Sequence, residues 1–256
     1  YPADSVLHRL DPRVKLCGTL VYVISLFLFQ SFTGYIVATV FLVSMIVISR
    51  VPFGFMVRGL KAIFVLLILT AVLNAFLTPG RELLTFWKIT ITIEGVRLAA
   101  FMVLRLVYLI IGSSIMTLTT TPSSLTDGLE KGLGWLKVFR VPVHEIAMMM
   151  SIALTFIPVL LEETDKIMKA QQARGADFDS GNIIRRVRSL VPILVPLFVS
   201  AFRRANDLAL AMESRCYRGG EGRTKMCPLK YVGRDYTAYA ILFAYLTIMI
   251  TVGILF

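Results

Sequence analysis

Charge is scarce in this chain: 17% of its residues are Asp, Glu, Lys or Arg, against 57% hydrophobic, too few to clothe an ordinary soluble domain. Histidine is scarcer still. With only His8 and His144, and with Cys17, Cys216 and Cys227 forming no CxxC pair, no metal centre can be drawn, and the odd cysteine count argues against a disulfide framework. No GxxxxGK[ST] phosphate loop occurs anywhere, so the chain itself has no means of binding ATP in that way. Nor does any Asp or Glu fall at the centre of an apolar run, where a proton- or sodium-coupled secondary transporter would need one.

What is present is hydrophobic length. The mean hydropathy is +0.76, and several long apolar runs make an all-α integral membrane protein the first reading. Asp11-Pro12 suits a helix start, with the acid at the cap and proline in the first turn. Residues 14–30 and 34–49 then read as two spans around an uncharged turn at Ser31–Gly34. The first reads as a retained span, not a cleavable signal. Arg50, Pro52, Arg58 and Lys61 mark a basic return loop before a third span at 62–77. Residues 78–95 differ: β-branched alternation through Ile89–Ile93 predicts a short strand or hairpin outside the membrane, with Trp87 an interfacial anchor. The fourth span is 96–118, where Arg97 can snorkel and Arg105 needs a partner inside the bundle. A serine-capped helix is expected at 123–133, and a terminal span at 236–256.

The net charge of +11 is placed unevenly. Residues 31–34 carry no Lys or Arg and 78–95 only Arg81 and Lys88, whereas Arg9, Arg13 and Lys15 stand near the first span and 119–235 holds 17. The positive-inside rule therefore predicts a cytoplasmic amino terminus and five spans. It predicts three regions: transmembrane helices 1–4 over 1–118, a cytoplasmic domain over 119–235, and a final transmembrane helix over 236–256. Such charge suits anionic lipid and acidic partners better than nucleic acid, since it is interleaved with apolar segments.

Within the basic region, two apolar stretches, 143–161 and 189–202, continue into polar helical runs. They contain Pro158, Pro192 and Pro196. Segments 161–174 and 202–215 overlay without a gap: Ile167, Ala170 and Arg174 match Leu208, Ala211 and Arg215. Each arginine extends an apolar helical face at its carboxyl end, where the helix dipole favours a cation and Gly175 or Gly219 can supply a left-handed stop. A pair of amphipathic helices ending in solvated arginines accounts for the periodicity equally well.

Leu10-Asp11-Pro12-Arg13-Val14-Lys15-Leu16, Thr121-Pro122, Ala173-Arg174-Gly175-Ala176-Asp177, Val195-Pro196-Leu197 and Ala211-Met212-Glu213-Ser214-Arg215-Cys216-Tyr217-Arg218-Gly219 occur in this order. In order and spacing they resemble the transmembrane T component of energy-coupling factor (ECF) vitamin transporters, a family of ATP-binding cassette (ABC) importers. The second triplet, Ser214-Arg215-Cys216, departs from the family's commoner Ala-Arg-Gly or Ala-Arg-Ser but keeps the arginine.

The resemblance implies a non-catalytic scaffold in a prokaryotic cell membrane, with long crossed coupling helices joining two cytoplasmic ABC ATPases to a membrane-embedded, substrate-binding S component. It implies that Ala173, Arg174, Gly175 and Ser214, Arg215, Cys216 meet the ATPases. The stretches at 143–161 and 189–202, bent at Pro158, Pro192 and Pro196, would lie near the membrane surface under the S component. It further implies no cofactor in this chain, ATP and Mg being bound by the partner ATPases. A T component dedicated to biotin, cobalt or nickel is the alternative to a shared one. A membrane enzyme using His144, Glu145, Asp177, Asp179 and Glu213 is the other, and it lacks a motif.

Overall fold

The structure is a computed structural model that describes residues 1–28, 32–86, 89–176, 183–219 and 228–255, with the backbone alone at 82–91, 136–137, 183–188 and 255. Trp87, Asp177, Asp179 and Arg223 lie outside the described residues.

The chain is an all-α membrane protein with one small hairpin. The elements are α1 (Pro12–Leu28), α2 (Phe32–Ser49), α3 (Phe53–Leu77), β1 (Glu82–Phe86), β2 (Ile89–Thr92), α4 (Ile93–Thr119) and α5 (Pro122–Gly132), then a 3-10 segment (Leu133–Phe139), α6 (Val143–Ala173), α7 (Ile183–Ser214) and α8 (Gly233–Leu255). Five described helices, α2, α3, α4, α6 and α8, are long and apolar enough to cross a membrane; the described part of α1 is 17 residues. The outward faces confirm the solvent they expect. On α3, Val65 is 77% exposed and Phe64, Leu66, Ile68 and Leu69 are also exposed, a surface that water would not tolerate.

Several local expectations shift. Helix α2 begins at Phe32, so Phe32–Gly34 is helical and not a turn. The basic return loop shrinks to 50–52, because Pro52 starts α3 at Phe53 and no breaker follows it. Arg58 and Lys61 therefore ride on α3, and the Arg58 guanidinium sits 4.8 Å from the Phe55 ring centre. Helix α5 is capped by Thr121, whose Oγ1 accepts from the Ser124 N–H at 3.3 Å, with Pro122 in the first turn; the serine cap is not used. The hairpin forms antiparallel with Phe86 opposite Ile89, and a register irregularity between Glu82 and Leu84.

The chain divides into two compact units, Tyr1–Lys131 with Leu229–Phe256, and Gly132–Pro228. The first is a helical bundle around Tyr22, Leu26, Tyr35, Ala38, Leu42, Met56, Ile111, Ile115, Tyr245 and Met249. Its aromatic centre is layered: Phe41 stacks on Tyr245 at 4.2 Å and on Tyr22 at 5.9 Å. Gly112 is what lets α4 meet α1, since a Cβ there would lie 2.4 Å from the Tyr22 ring. Hydroxyls that lipid cannot hydrate find partners inside the bundle, as Ser25 with Tyr245 (2.7 Å) and Thr39 with Tyr108 (2.5 Å). Arg105 is held similarly. Its Nε donates to the Tyr35 hydroxyl at 3.2 Å and its guanidinium lies 5.3 Å from the Phe27 ring centre. Residues of α1 and α2 thus engage this buried cation inside the bundle.

Candidate functional site

The phrase from Leu10 to Leu16 turns out to be part of a clasp. Asp11 caps α1 as expected, its Oδ1 accepting from the Arg13 N–H at 2.9 Å, and its carboxylate also holds the Arg13 guanidinium. Arg13 then covers Tyr231 at 4.2 Å and donates to the Leu229 carbonyl. The Asp11 N–H donates in turn to Asp235 Oδ1 at 2.9 Å, while Asp235 Oδ2 accepts from the Val232 N–H at 2.8 Å. Asp235 is 3% exposed. One buried carboxylate thus ties the start of α1 to the start of α8. Sequence reading missed Asp235, which looked like one more charge in a polar loop; its place in the first turn of the last apolar run was the available signal.

The second unit contains the two helices that the overlay paired, α6 and α7. Each runs unbroken past its prolines: Pro158 lies inside α6, and Pro192 and Pro196 inside α7, all three exposed. The ion pair described between these helices joins Arg204 Nη2 to Glu163 Oε2 at 3.0 Å. Glu163 and Arg204 are 41 positions apart, the same offset that separates Arg174 from Arg215. Each arginine therefore stands eleven residues beyond the contact on its own helix, about 16 Å of α-helix. Equal lengths of arm project from one shared contact.

Both arms also end in the same way. On α6, the Gly175 N–H donates to the Gln172 carbonyl at 2.9 Å and the Ala176 N–H to the Gln171 carbonyl at 3.0 Å. On α7, the Cys216 N–H donates to the Glu213 carbonyl at 2.9 Å and the Tyr217 N–H to the Met212 carbonyl at 3.0 Å. These are two Schellman closures, and each leaves its arginine as the capping residue. The left-handed position is Gly175 on the first arm (φ 87°) and Cys216 on the second (φ 56°). Gly219 also has φ 87°, but three residues too late to close α7. The expected glycine stop is thus supplied by a cysteine, in a conformation that costs a residue with a Cβ on the order of 1 kcal/mol.

Ala173, Arg174, Gly175, Ser214, Arg215 and Cys216 are all exposed. Neither guanidinium makes an ion pair among the described residues. An exposed arginine at a helix carboxyl end presents a planar, doubly donating fork to an incoming carboxylate, with the helix dipole favouring its charge in the free state.

The alternative enzyme residues are not gathered. His144 and Glu145 stand in the first turn of α6 and Glu213 in the last turn of α7. Among the described residues no group of three or more His, Cys, Asp or Glu is placed to hold a metal ion.

A bundle of long apolar helices with lipid-facing side chains, and two matched helices ending in exposed arginines, define an integral membrane protein. The sequence profile of the family described as "Cobalt transport protein" (CbiQ) matches residues 3–226. The energy-coupling factor transporter transmembrane protein EcfT of Clostridium kluyveri is 57% identical over 239 residues, covering 93% of this chain and 88% of that protein. EcfT of Thermosediminibacter oceani is 53% identical over 238 residues (93% and 90%), and EcfT of Lactococcus lactis subsp. cremoris 45% over 235 residues (91% and 88%). The chain belongs to this CbiQ/EcfT family of transporter transmembrane proteins.

Proposed function

We propose that this chain is the T component of an ECF-type vitamin or micronutrient importer, a non-catalytic subunit that carries ATP-driven motion from two cytoplasmic ABC ATPases to a substrate-binding S component. The observation that carries it is the duplicated arm end: two Schellman closures, each setting an exposed arginine eleven residues beyond the Glu163–Arg204 contact. Two equal tips suit two related sockets. Arg174 enters an acidic groove on one ATPase and Arg215 the corresponding groove on the other, and closure of the ATPases on ATP moves the arm tips together.

The names of the relatives support membership of such a complex. The exposed apolar faces of α6 and α7 support a membrane-embedded partner. Met149, Ile157 and Leu161 on α6, and Val195, Phe198 and Phe202 on α7, are all exposed. These faces receive the S component and lie at the membrane surface, with Pro158, Pro192 and Pro196 as the places where the arms bend. The arms and the amino terminus lie on the cytoplasmic side of a prokaryotic cell membrane. ATP and Mg belong to the ATPases, and the nutrient to the S component, so the nutrient is chosen outside this chain.

The test is co-purification and uptake. The chain and its partners are expressed together, and Arg174→Ala, Arg215→Ala and the double variant are compared with wild type. Loss of one ATPase with each single variant, and of both with the double, is expected. Intact ATPase recovery and uptake in the double variant would sink the assignment. Mild-detergent pull-down then separates a shared T component, recovered with several S components, from one dedicated to biotin, cobalt or nickel.

A further inference from the structure

The first unit contains a cavity of about 180 Å³, bordered by the amino-terminal segment and by α1, α2, α4 and α8. It lies where α1 and α8 begin and α2 and α4 end. Its wall is largely apolar, including Tyr22, Phe41 and Leu242, but it also includes Lys15 and Arg234. Lys15 is 9% exposed. Its ammonium donates to two neutral carbonyls, His8 at 3.2 Å and Thr119 at 2.8 Å, which leaves one of its three donors for a third acceptor. The nearby carboxylate of Asp11 is engaged by Arg13. A buried cation with no carboxylate in contact among the described residues, on the wall of a greasy cavity, invites an anion that carries its own apolar body.

We propose that this cavity is a binding site for an anionic phospholipid, with part of an acyl chain inside and the phosphate between Lys15 and Arg234. The volume fits that occupant. A cavity of roughly 150 Å³ accepts a benzene-sized apolar group, so this one can take a short run of acyl chain. The same end of the bundle carries Arg9, Arg13, Arg50, Lys131 and Lys230, so an anionic headgroup meets positive charge from several elements.

Gly18 gives the test its cleanest variant. It lines the cavity, and a Cβ added there meets no heavy atom within 4 Å, so Gly18→Leu starts its side chain in open space and favours the helix. The full chain, purified with its partners, is exchanged into phosphatidylcholine nanodiscs with phosphatidylglycerol, with a fatty acid, or with neither, and bound lipid is counted by native mass spectrometry. Wild type is expected to retain one phosphatidylglycerol per copy, and Gly18→Leu none, with its melting temperature unchanged or raised. Arg234→Gln, an exposed change that spares the fold, is expected to weaken phosphatidylglycerol retention by roughly tenfold, the factor supplied by one charge-assisted hydrogen bond. Equal retention of phosphatidylglycerol and phosphatidylcholine, preferred retention of the fatty acid, or full retention by Gly18→Leu would each overturn the proposal.

Discussion

Three cations of the first unit and two of the second are treated in opposite ways. In the first unit Arg13, Lys15 and Arg105 each end on acceptors within the chain: a carboxylate, two carbonyls and a tyrosine hydroxyl. In the second, Arg174 and Arg215 cap their helices in the open and meet no carboxylate among the described residues. Burial explains the contrast. A cation taken out of water must be solvated by the fold or it unfolds it, while one left in water is available to a partner at little cost to stability. Arg13 and Arg105, engaged inside the fold, help to build it; Lys15 keeps one donor over; and Arg174 and Arg215, exposed at built helix ends, are available to a partner.

The largest expected break in stability comes at the clasp. Asp235→Ala strands the buried Asp11 N–H at about 1–3 kcal/mol and leaves the N–H of half-exposed Val232 to water. The variant should melt several degrees lower in detergent, while the fraction that stays folded still recovers its ATPases. Normal thermal stability would mean that the clasp is dispensable. Arg174→Ala and Arg215→Ala sharpen the other side. Each should leave the melting temperature within experimental error and cost about 2–5 kcal/mol in docking, a loss of roughly 30-fold or more in affinity for one ATPase. Titration of each purified ATPase against the variants measures this. A fall in stability instead would class these arginines with Arg105.

The membrane class and most of the helices were legible because lipid imposes a strong rule: long apolar runs must be helices. The paired arms were legible because 3.6-residue periodicity carried the overlay to Arg174 and Arg215, and the Glu163–Arg204 pair falls on the same 41-residue offset. Boundaries that depend on tertiary packing were not. Arg58 and Lys61 looked like loop charges because side chains that snorkel past a helix end do not show in a count. Asp235 and Lys15 gained their meaning only from residues more than a hundred positions away. Cys216 misled because glycine is the usual left-handed residue, and Gly219 stood close enough to be credited.

Cys216 offers a smaller effect that separates the arm's architecture from its charge. Cys216→Gly should stabilise the end of α7 by up to about 1 kcal/mol, partly offset by glycine's freer unfolded chain. ATPase docking should survive, because Arg215 keeps its capping place. Cys216→Val should do the reverse, since a β-branched residue fits φ near +56° poorly. Hydrogen exchange at the Cys216 and Tyr217 amides reads both changes directly. If glycine and valine had the same effect there, the Schellman closure would not be what holds the arm tip.

The smallest effect belongs to the Glu163–Arg204 contact. Both side chains are partly solvated, 29% and 39% exposed, so the pair should contribute less than about 1 kcal/mol to stability. Its position suggests a role in register. If it fixes α6 against α7 at these matched points, it would keep the two arginines at equal reach, and register is a property that a melting curve barely senses. A double-mutant cycle with Glu163→Gln and Arg204→Gln should therefore show a coupling of a few tenths of a kcal/mol in thermal stability and a larger one in uptake. The charge-reversed pair, Glu163→Arg with Arg204→Glu, should recover uptake more fully than either single reversal. If the reversed pair were no better than the worse single variant, the ion pair would be a surface contact and the equal reach of the arms would have to come from packing alone.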